Sequence, residues 1–245
     1  MSDEIQLAGG NVGGAVRVGD TVRRTAGPWT PAVHALLTHL NTRLPHVPQV
    51  LGFDDRGREM LSYLPGRVID LGTEVLTPAQ IIALVDWTRD FHAAVADFNH
   101  PGPWRYFPIK NATIIGHNDI APYNACFEGD RLTGVFDWDL AGPSTALMEL
   151  AFIAWNTVPL WSIHFDPVET TRRLELIAAT YGSFGPSEIL HAVPERIQIM
   201  LDGIPVAAAA GDAGMANLIA AGEPERSQLS LTRLVNRFPA ITSHL

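Results

Sequence analysis

The chain has 245 residues, of which 26 are acidic and 17 basic, giving a net charge of −9, and 47% are apolar. This balance excludes a nucleic-acid binder that works through a general basic surface. The longest weakly polar stretch, 146–161, is interrupted by Glu149, Asn156 and Pro159, so no membrane partner is expected. The start, Met1 to Glu4, lacks the basic and apolar segments of a signal peptide. The single cysteine, Cys126, allows no intrachain disulfide, and the expected location is the cytoplasm.

Short strands at 5–7, 15–18 and 21–24 come first, with Gly19 and Asp20 as a tight turn. Between the first two lie Gly9, Gly10, Gly13 and Gly14, a connection whose bare backbone can approach a polyphosphate and offer it N–H groups. The alternative reading is a flexible hairpin loop. Arg23 and Arg24 end the third strand, and strand alternation sends them to opposite faces. An amphipathic helix is predicted over 31–43 from Val33, Leu36, Leu37 and Leu40. Its polar face offers His34 and His39 but no Glu. Strands at 47–53 and 59–63 follow, then a second helix over 79–98 that starts at Thr77 and Pro78.

The next stretch carries the chemistry. His117, Asp119 and Asn124 have the H-x-D-x-x-x-x-N spacing of a kinase catalytic loop. A strand over 132–136 then ends in Asp137, Trp138 and Asp139. Phosphoryl transfer needs a carboxylate to orient a hydroxyl, and oxygen ligands to hold a hard cation against phosphates. Alone, the loop could be a turn in which Asp119 and Asn124 bond locally. Two carboxylates beside a buried strand are too costly for a purely structural account. Motifs for serine hydrolases, zinc proteases and dinucleotide binding are absent. Cys126 reads as a small buried apolar residue. Helices are predicted over 146–158, 167–181, 187–210 with breaks near Pro194 and Pro205, and 227–238. Strands followed by helices indicate an α+β fold.

These motifs resemble the aminoglycoside phosphotransferase family, a branch of the protein-kinase-like fold that includes choline kinases. Asp137 to Ala141 is similar to that family's I-D-W-x-x-A signature, and Leu147 to Ala151 to the acidic D-L-A helix start. Met60 to Gly66 resembles the hinge segment ending in Pro-Gly, and Phe91-His92 the L-H of the helix before the catalytic loop. Asn118 departs from the commonest H-G-D loop and is familiar from choline-kinase-like relatives, which leaves the substrate class open.

The resemblance implies a bilobal fold with a small antiparallel-sheet lobe, 1–65, and a mostly helical lobe, 66–245. It implies ATP or GTP and Mg²⁺ as cofactors. Asp119 would orient the acceptor hydroxyl and His117 brace the loop, with Asn124 and Asp137 holding the metal. Gly9, Gly10, Gly13, Gly14 and Arg23 would cover the triphosphate, Arg23 being favoured over Arg24 by relatives with an Arg-Arg pair. The backbone of Ser62 and Leu64 would face the nucleobase, and Asp139 would touch substrate or cap the next turn. The helix glutamate that pairs with the strand-three cation in kinases is missing. Either another carboxylate replaces it or the nucleotide alone holds the arginine. The expected acceptor is an aminoglycoside, with choline or another amino alcohol as the alternative. A nucleotide-binding regulatory module without turnover is the reading from another class. A polycationic acceptor would need several of Glu149, Asp166, Glu169, Glu188, Glu195, Asp202 and Asp212 to converge beside Asp119.

Overall fold

The computed structural model describes residues 4–7, 14–107, 109–163 and 165–245. Its first lobe is an antiparallel sheet of β1 (Ile5–Gln6), β2 (Val16–Val18), β3 (Thr21–Arg24), β4 (Val50–Phe53) and β5 (Glu59–Ser62), ordered β1-β2-β3-β5-β4. All five expected strands form. Their register sets Arg24 directly opposite Glu59 and Thr21 opposite Ser62. Helix α1 (Thr30–Leu40) buries Ala32, Val33, Leu36, Leu37 and Leu40, the stripe predicted from its spacing. It packs on β4 and also on the turn Trp138–Leu140 of the second lobe.

The second lobe opens with β6 (Arg67–Val68) and α2 (Pro78–Ala94). Thr77 and Gln80 form a reciprocal capping box at the start of α2. Strands β7 (Ile114–Gly116), β8 (Ala125–Glu128), β9 (Arg131–Val135) and β10 (Gly142–Ser144) follow. They build two small antiparallel sheets, β6-β8-β9 and β7-β10. The chain ends in five helices, α3 (Ala146–Thr157), α4 (Pro167–Tyr181), α5 (Pro186–Ala209), α6 (Ala213–Ala220) and α7 (Glu223–Thr242).

Two expectations need correction. Helix α5 runs unbroken through Pro194 and Pro205. Each proline removes one backbone bond, but Ile189, Val193, Arg196, Ile197, Leu201 and Ile204 lie buried at helical spacing, and the helix packs along α3. That burial outweighs the lost bonds. Helix α6 was not anticipated, because its short alanine-rich stretch has no pronounced periodicity; it starts where Asp212 caps the Met215 N–H. Among the described residues no single helix is long and apolar enough to cross a membrane.

One hydrophobic cluster runs from Val33 of α1 to Ile241 of α7. The crossing between lobes is tight at Gly66. Its φ is +130°, and a Cβ there would lie 2.4 Å from Thr133 Oγ1 and 2.9 Å from the Cys126 Cβ. Thr133 Oγ1 also donates to the Pro65 carbonyl at 2.6 Å. Gly66→Ala is therefore expected to destabilise the protein by about 1–3 kcal/mol through overpacking and backbone strain. Urea unfolding should show a lower midpoint with an unchanged m-value; an unshifted midpoint would contradict the reading.

Candidate active site

The loop after β7 is held by buried charges on both sides. Glu149 of α3, 2% exposed, accepts the His117 N–H at 2.9 Å and the Asn118 N–H at 2.8 Å. Gly116 makes room for it, since a Cβ there would fall 2.8 Å from the Glu149 carboxyl carbon. From the other side Arg196 of α5, 1% exposed, donates to the Asn118 carbonyl at 2.6 Å. Its guanidinium lies over the rings of Phe152 and Tyr106, at 4.3 and 4.8 Å. Asn118 itself is left-handed, φ 62°, a conformation that asparagine tolerates better than most residues. Its Nδ2 bonds the carbonyls of Leu140 and Gly142. The Nδ2 of this Asn is thus spent on backbone geometry.

His117 braces the loop. Its Nδ1 accepts the Asp119 N–H at 3.2 Å and its Nε2–H donates to the Phe136 carbonyl at 3.0 Å. Burial pushes its pKa down, and both ring nitrogens are taken up by backbone groups. Asp119 is half-buried. Its Oδ1 accepts from the Tyr123 hydroxyl at 3.1 Å and its Oδ2 from Asn124 Nδ2 at 2.8 Å. Burial first, and the Asp137 charge second, push its pKa up to about 7 against the pull of those two donors. With Nδ2 of Asn124 turned to Asp119, its Oδ1 meets no donor among the described residues.

Asp137 also sits in the left-handed region, φ 61° and ψ 63°, at a cost of roughly 1–2 kcal/mol for a residue with a side chain. Trp138 sustains the turn. Fully buried, it packs edge-on against Phe91 at 5.3 Å and lies 4.5 Å from the His117 ring, while its Nε1–H donates to the Val135 carbonyl. Asp137 and Asp139 consequently face the cleft, where both meet Arg24. Arg24 Nη1 lies 2.9 Å from Asp137 Oδ1 and Nη2 lies 2.7 Å from Asp139 Oδ1. Arg24 Nε forms an ion pair with Glu59 Oε1 at 2.6 Å, and His34 Nε2 lies 2.9 Å from Glu59 Oε2.

Arg23, favoured from the sequence for the phosphate side, points away from this cluster to Asp54, at 3.7 Å. Arg24 is the strand-three cation at the cleft. The β3–β5 register decides the choice, and strand alternation alone does not contain it. Asp139 also faces Arg105 Nη1 at 3.4 Å, while Arg105 binds Asp212 through two contacts of 2.8 Å and stacks on Trp29 at 4.4 Å. Ser62 is committed to the sheet, its N–H and Oγ both bonded to the Gln49 backbone. The Leu64 N–H has no protein acceptor among the described residues. Gly9, Gly10 and Gly13 lie outside the described residues; Gly14 has φ 60°. Cys126 is buried and free, as expected, and burial pushes its thiol up to about 11.

The acidic side chains considered for a polycation do not gather at Asp119. Glu149 lies under the loop, Asp166 caps α4, Glu169 pairs with Arg172 and Arg173, and Glu188 bonds the Gly185 N–H. Asp202 bonds Gln198, Asp212 binds Arg105, and Glu195 lines a groove between α5 and α7. Among the described residues no group of three or more His, Cys, Asp or Glu could hold a metal. Asn124 Oδ1 and the second oxygen of Asp137 are hard donors of the kind Mg²⁺ takes when phosphates and water complete its shell, so the pair fits that ion.

Together these elements form the α+β fold of the protein-kinase-like enzymes. Residues 104–187, which hold this loop and the Asp137 strand, match the model of the phosphotransferase enzyme family, the family that the motifs resemble. The trifolitoxin immunity protein of Rhizobium leguminosarum bv. trifolii is 36% identical over 172 residues, 66% of this chain and 64% of that protein. The chain thus covers less than two thirds of that relative's length. Among solved structures, an aminoglycoside 2′-phosphotransferase in its GDP complex has a TM-score of 0.62 at 15% identity, with 98% of this chain and 93% of that one covered. An amicoumacin kinase with AMP-PNP and Ca²⁺ gives 0.60 at 12%, covering 92% and 88%. A choline/ethanolamine kinase family protein from Mesorhizobium loti gives 0.51 at 15%, covering 96% and 91%. At these identities the likeness establishes the fold.

Glu149 supplies a pH test of the loop. Burial alone would raise its pKa, but the neighbouring His92, whose Nε2 lies 4.0 Å away, and the positive charge of Arg196 hold it lower. A carboxyl depressed on folding contributes stability above its unfolded pKa and loses it as pH falls through the folded value. Glu149→Gln should therefore cost about 1–3 kcal/mol at pH 7, and the gap to the parent should narrow below pH ~4.5. Equal gaps in urea unfolding at pH 7 and in mild acid would refute this.

Proposed function

We propose that the chain transfers the γ-phosphate of ATP or GTP to a hydroxyl group of a small molecule. The observation that carries this reading is the convergence of Asp119, Asn124, Asp137 and Arg24 on one cleft, with Asp119 held by two donors and otherwise unencumbered. In this reading Tyr123 and Asn124 aim the Asp119 carboxylate at the acceptor hydroxyl. A group titrating near neutrality is well matched to take that proton late in a loose transition state. Asn124 and Asp137 hold Mg²⁺, which supplies charge neutralisation at the phosphates when bound. Arg24 supplies the strand-three cation, residues 9–14 cover the triphosphate, and the free Leu64 N–H suits a nucleobase edge. His117, Glu149 and Arg196 keep the loop rigid, and Asp139 stays with the two arginines.

The expected acceptor, an aminoglycoside, finds little support in the charge distribution. Each candidate carboxylate except Glu195 is engaged locally, and Arg105 and Arg196 bring positive charge beside the loop. This favours an acceptor of low net charge. The name of the immunity protein relative supports a role in modifying a toxic compound. Coupling ADP release to a panel of aminoglycosides, amino alcohols, sugars and neutral antibiotics decides among acceptors. Nucleotide binding with no acceptor-dependent ADP release would select the regulatory module.

Asp119→Ala should lower phosphoryl transfer by roughly two to four orders of magnitude, with nucleotide affinity changed only a few-fold. Unchanged turnover would dismiss the catalytic-loop reading. Asp137→Ala should weaken Mg²⁺-dependent nucleotide binding, and Asp139→Ala much less, because only the former removes a charged oxygen ligand. The opposite order in titration calorimetry would reassign the metal ligand.

A further inference from the structure

We infer that Glu59 on β5 is the positioning residue that aims Arg24 at the nucleotide phosphates, in place of the glutamate that helix α1 lacks. This rests on the phosphotransfer reading above. Kinase chemistry requires a strand-three cation held by a carboxylate, which protein kinases supply from the helix that follows. Here that helix presents His34 and no acidic residue toward the sheet, yet Arg24 is not left to the nucleotide.

Three observations converge on Glu59. It is the direct cross-strand partner of Arg24 in the antiparallel β3–β5 register, so strand pairing itself brings the two side chains together. It is 1% exposed, and its two oxygens are divided between Arg24 Nε at 2.6 Å and His34 Nε2 at 2.9 Å. A carboxylate buried so completely needs its cation, and the desolvation of one is offset by the other. Finally, Glu59 is the only acidic partner of Arg24 on its own lobe among the described residues. Asp137 and Asp139 lie across the cleft, and Asp137 is the oxygen ligand claimed when metal and nucleotide bind. Glu59 can hold the guanidinium through that exchange from within the sheet.

The consequence differs from the kinase arrangement. A cation paired within the sheet keeps its aim whatever the placement of α1, and His34 ties the helix to a pair that is already formed.

The test compares binding of Mg²⁺·AMP-PNP and of adenosine, which has no phosphates, by titration calorimetry. Glu59→Gln should weaken Mg²⁺·AMP-PNP by roughly tenfold or more while adenosine stays within about threefold. Arg24→Gln should show the same split. The double variant Arg24→Gln/Glu59→Gln, which leaves no unpaired buried charge, should lose no more than Arg24→Gln alone. His34→Ala should leave both ligands within about threefold. Equal weakening of adenosine and AMP-PNP by Glu59→Gln would make Glu59 merely structural and overturn the inference. So would additive losses in the double variant, or a phosphate-selective loss in His34→Ala. Failure of the parent to bind Mg²⁺·AMP-PNP would instead remove the phosphotransfer reading and this inference with it.

Discussion

The loop that carries Asp119 depends on one buried carboxylate. Glu149 accepts two successive backbone N–H groups. Ionised acceptors bind N–H donors about twice as strongly as neutral ones, and buried orphan donors are costly. The carboxylate therefore fixes the direction of the chain where it leaves β7. Arg196 completes the clamp on the opposite carbonyl. Two backbone N–H groups, of His117 and Asn118, thus bond to Glu149 and the Asn118 carbonyl to Arg196, which holds a left-handed turn in place. Asp119 inherits its position from that turn.

Trp138 plays the corresponding part for the strand end at Asp137. An indole fully packed among Phe91, Trp87 and His117 cannot move without opening the core. The left-handed Asp137 before it is held by the packing energy of its neighbour. Strain retained at a functional carboxylate is common where the surroundings over-determine it. The same ring touches His117, so the two motifs that stand apart in sequence share one packing unit. A change in either propagates to the other through contact, with no need for a longer path.

Much of this was legible in the sequence. The five strands, the stripe of α1 and the loop spacing follow from periodicities and local signals. Asp119, Asn124 and Asp137 come together because their spacing encodes one loop and one strand end. What stayed hidden depended on register or on distant segments. Choosing Arg24 over Arg23 requires knowing which strand lies beside β3 and in what register; Glu59 then follows at once. Arg105 and Arg196 read as ordinary helix or loop arginines, since no local pattern reveals that one stacks on Trp29 and the other is swallowed between Phe152 and Tyr106. Helix α6 escaped because its eight residues, all small or apolar apart from Asn217, show little periodicity.

The electrostatics of the cleft turn on a single guanidinium. Arg24 is shared among Glu59, Asp137 and Asp139, so any phosphate proposed to bind there would compete with carboxylates for it. Two of those carboxylates lie on the opposite lobe, and the contact bridges the cleft. Under the proposed phosphotransfer, a phosphate group that took Arg24 would free Asp137 to serve as an oxygen ligand. Asp139 keeps Arg105 as a second cation and is not left uncompensated. The cleft thus needs no new charge to pass from one arrangement to the other. It needs only a fixed partner for Arg24 on its own lobe, and the β3–β5 register provides one.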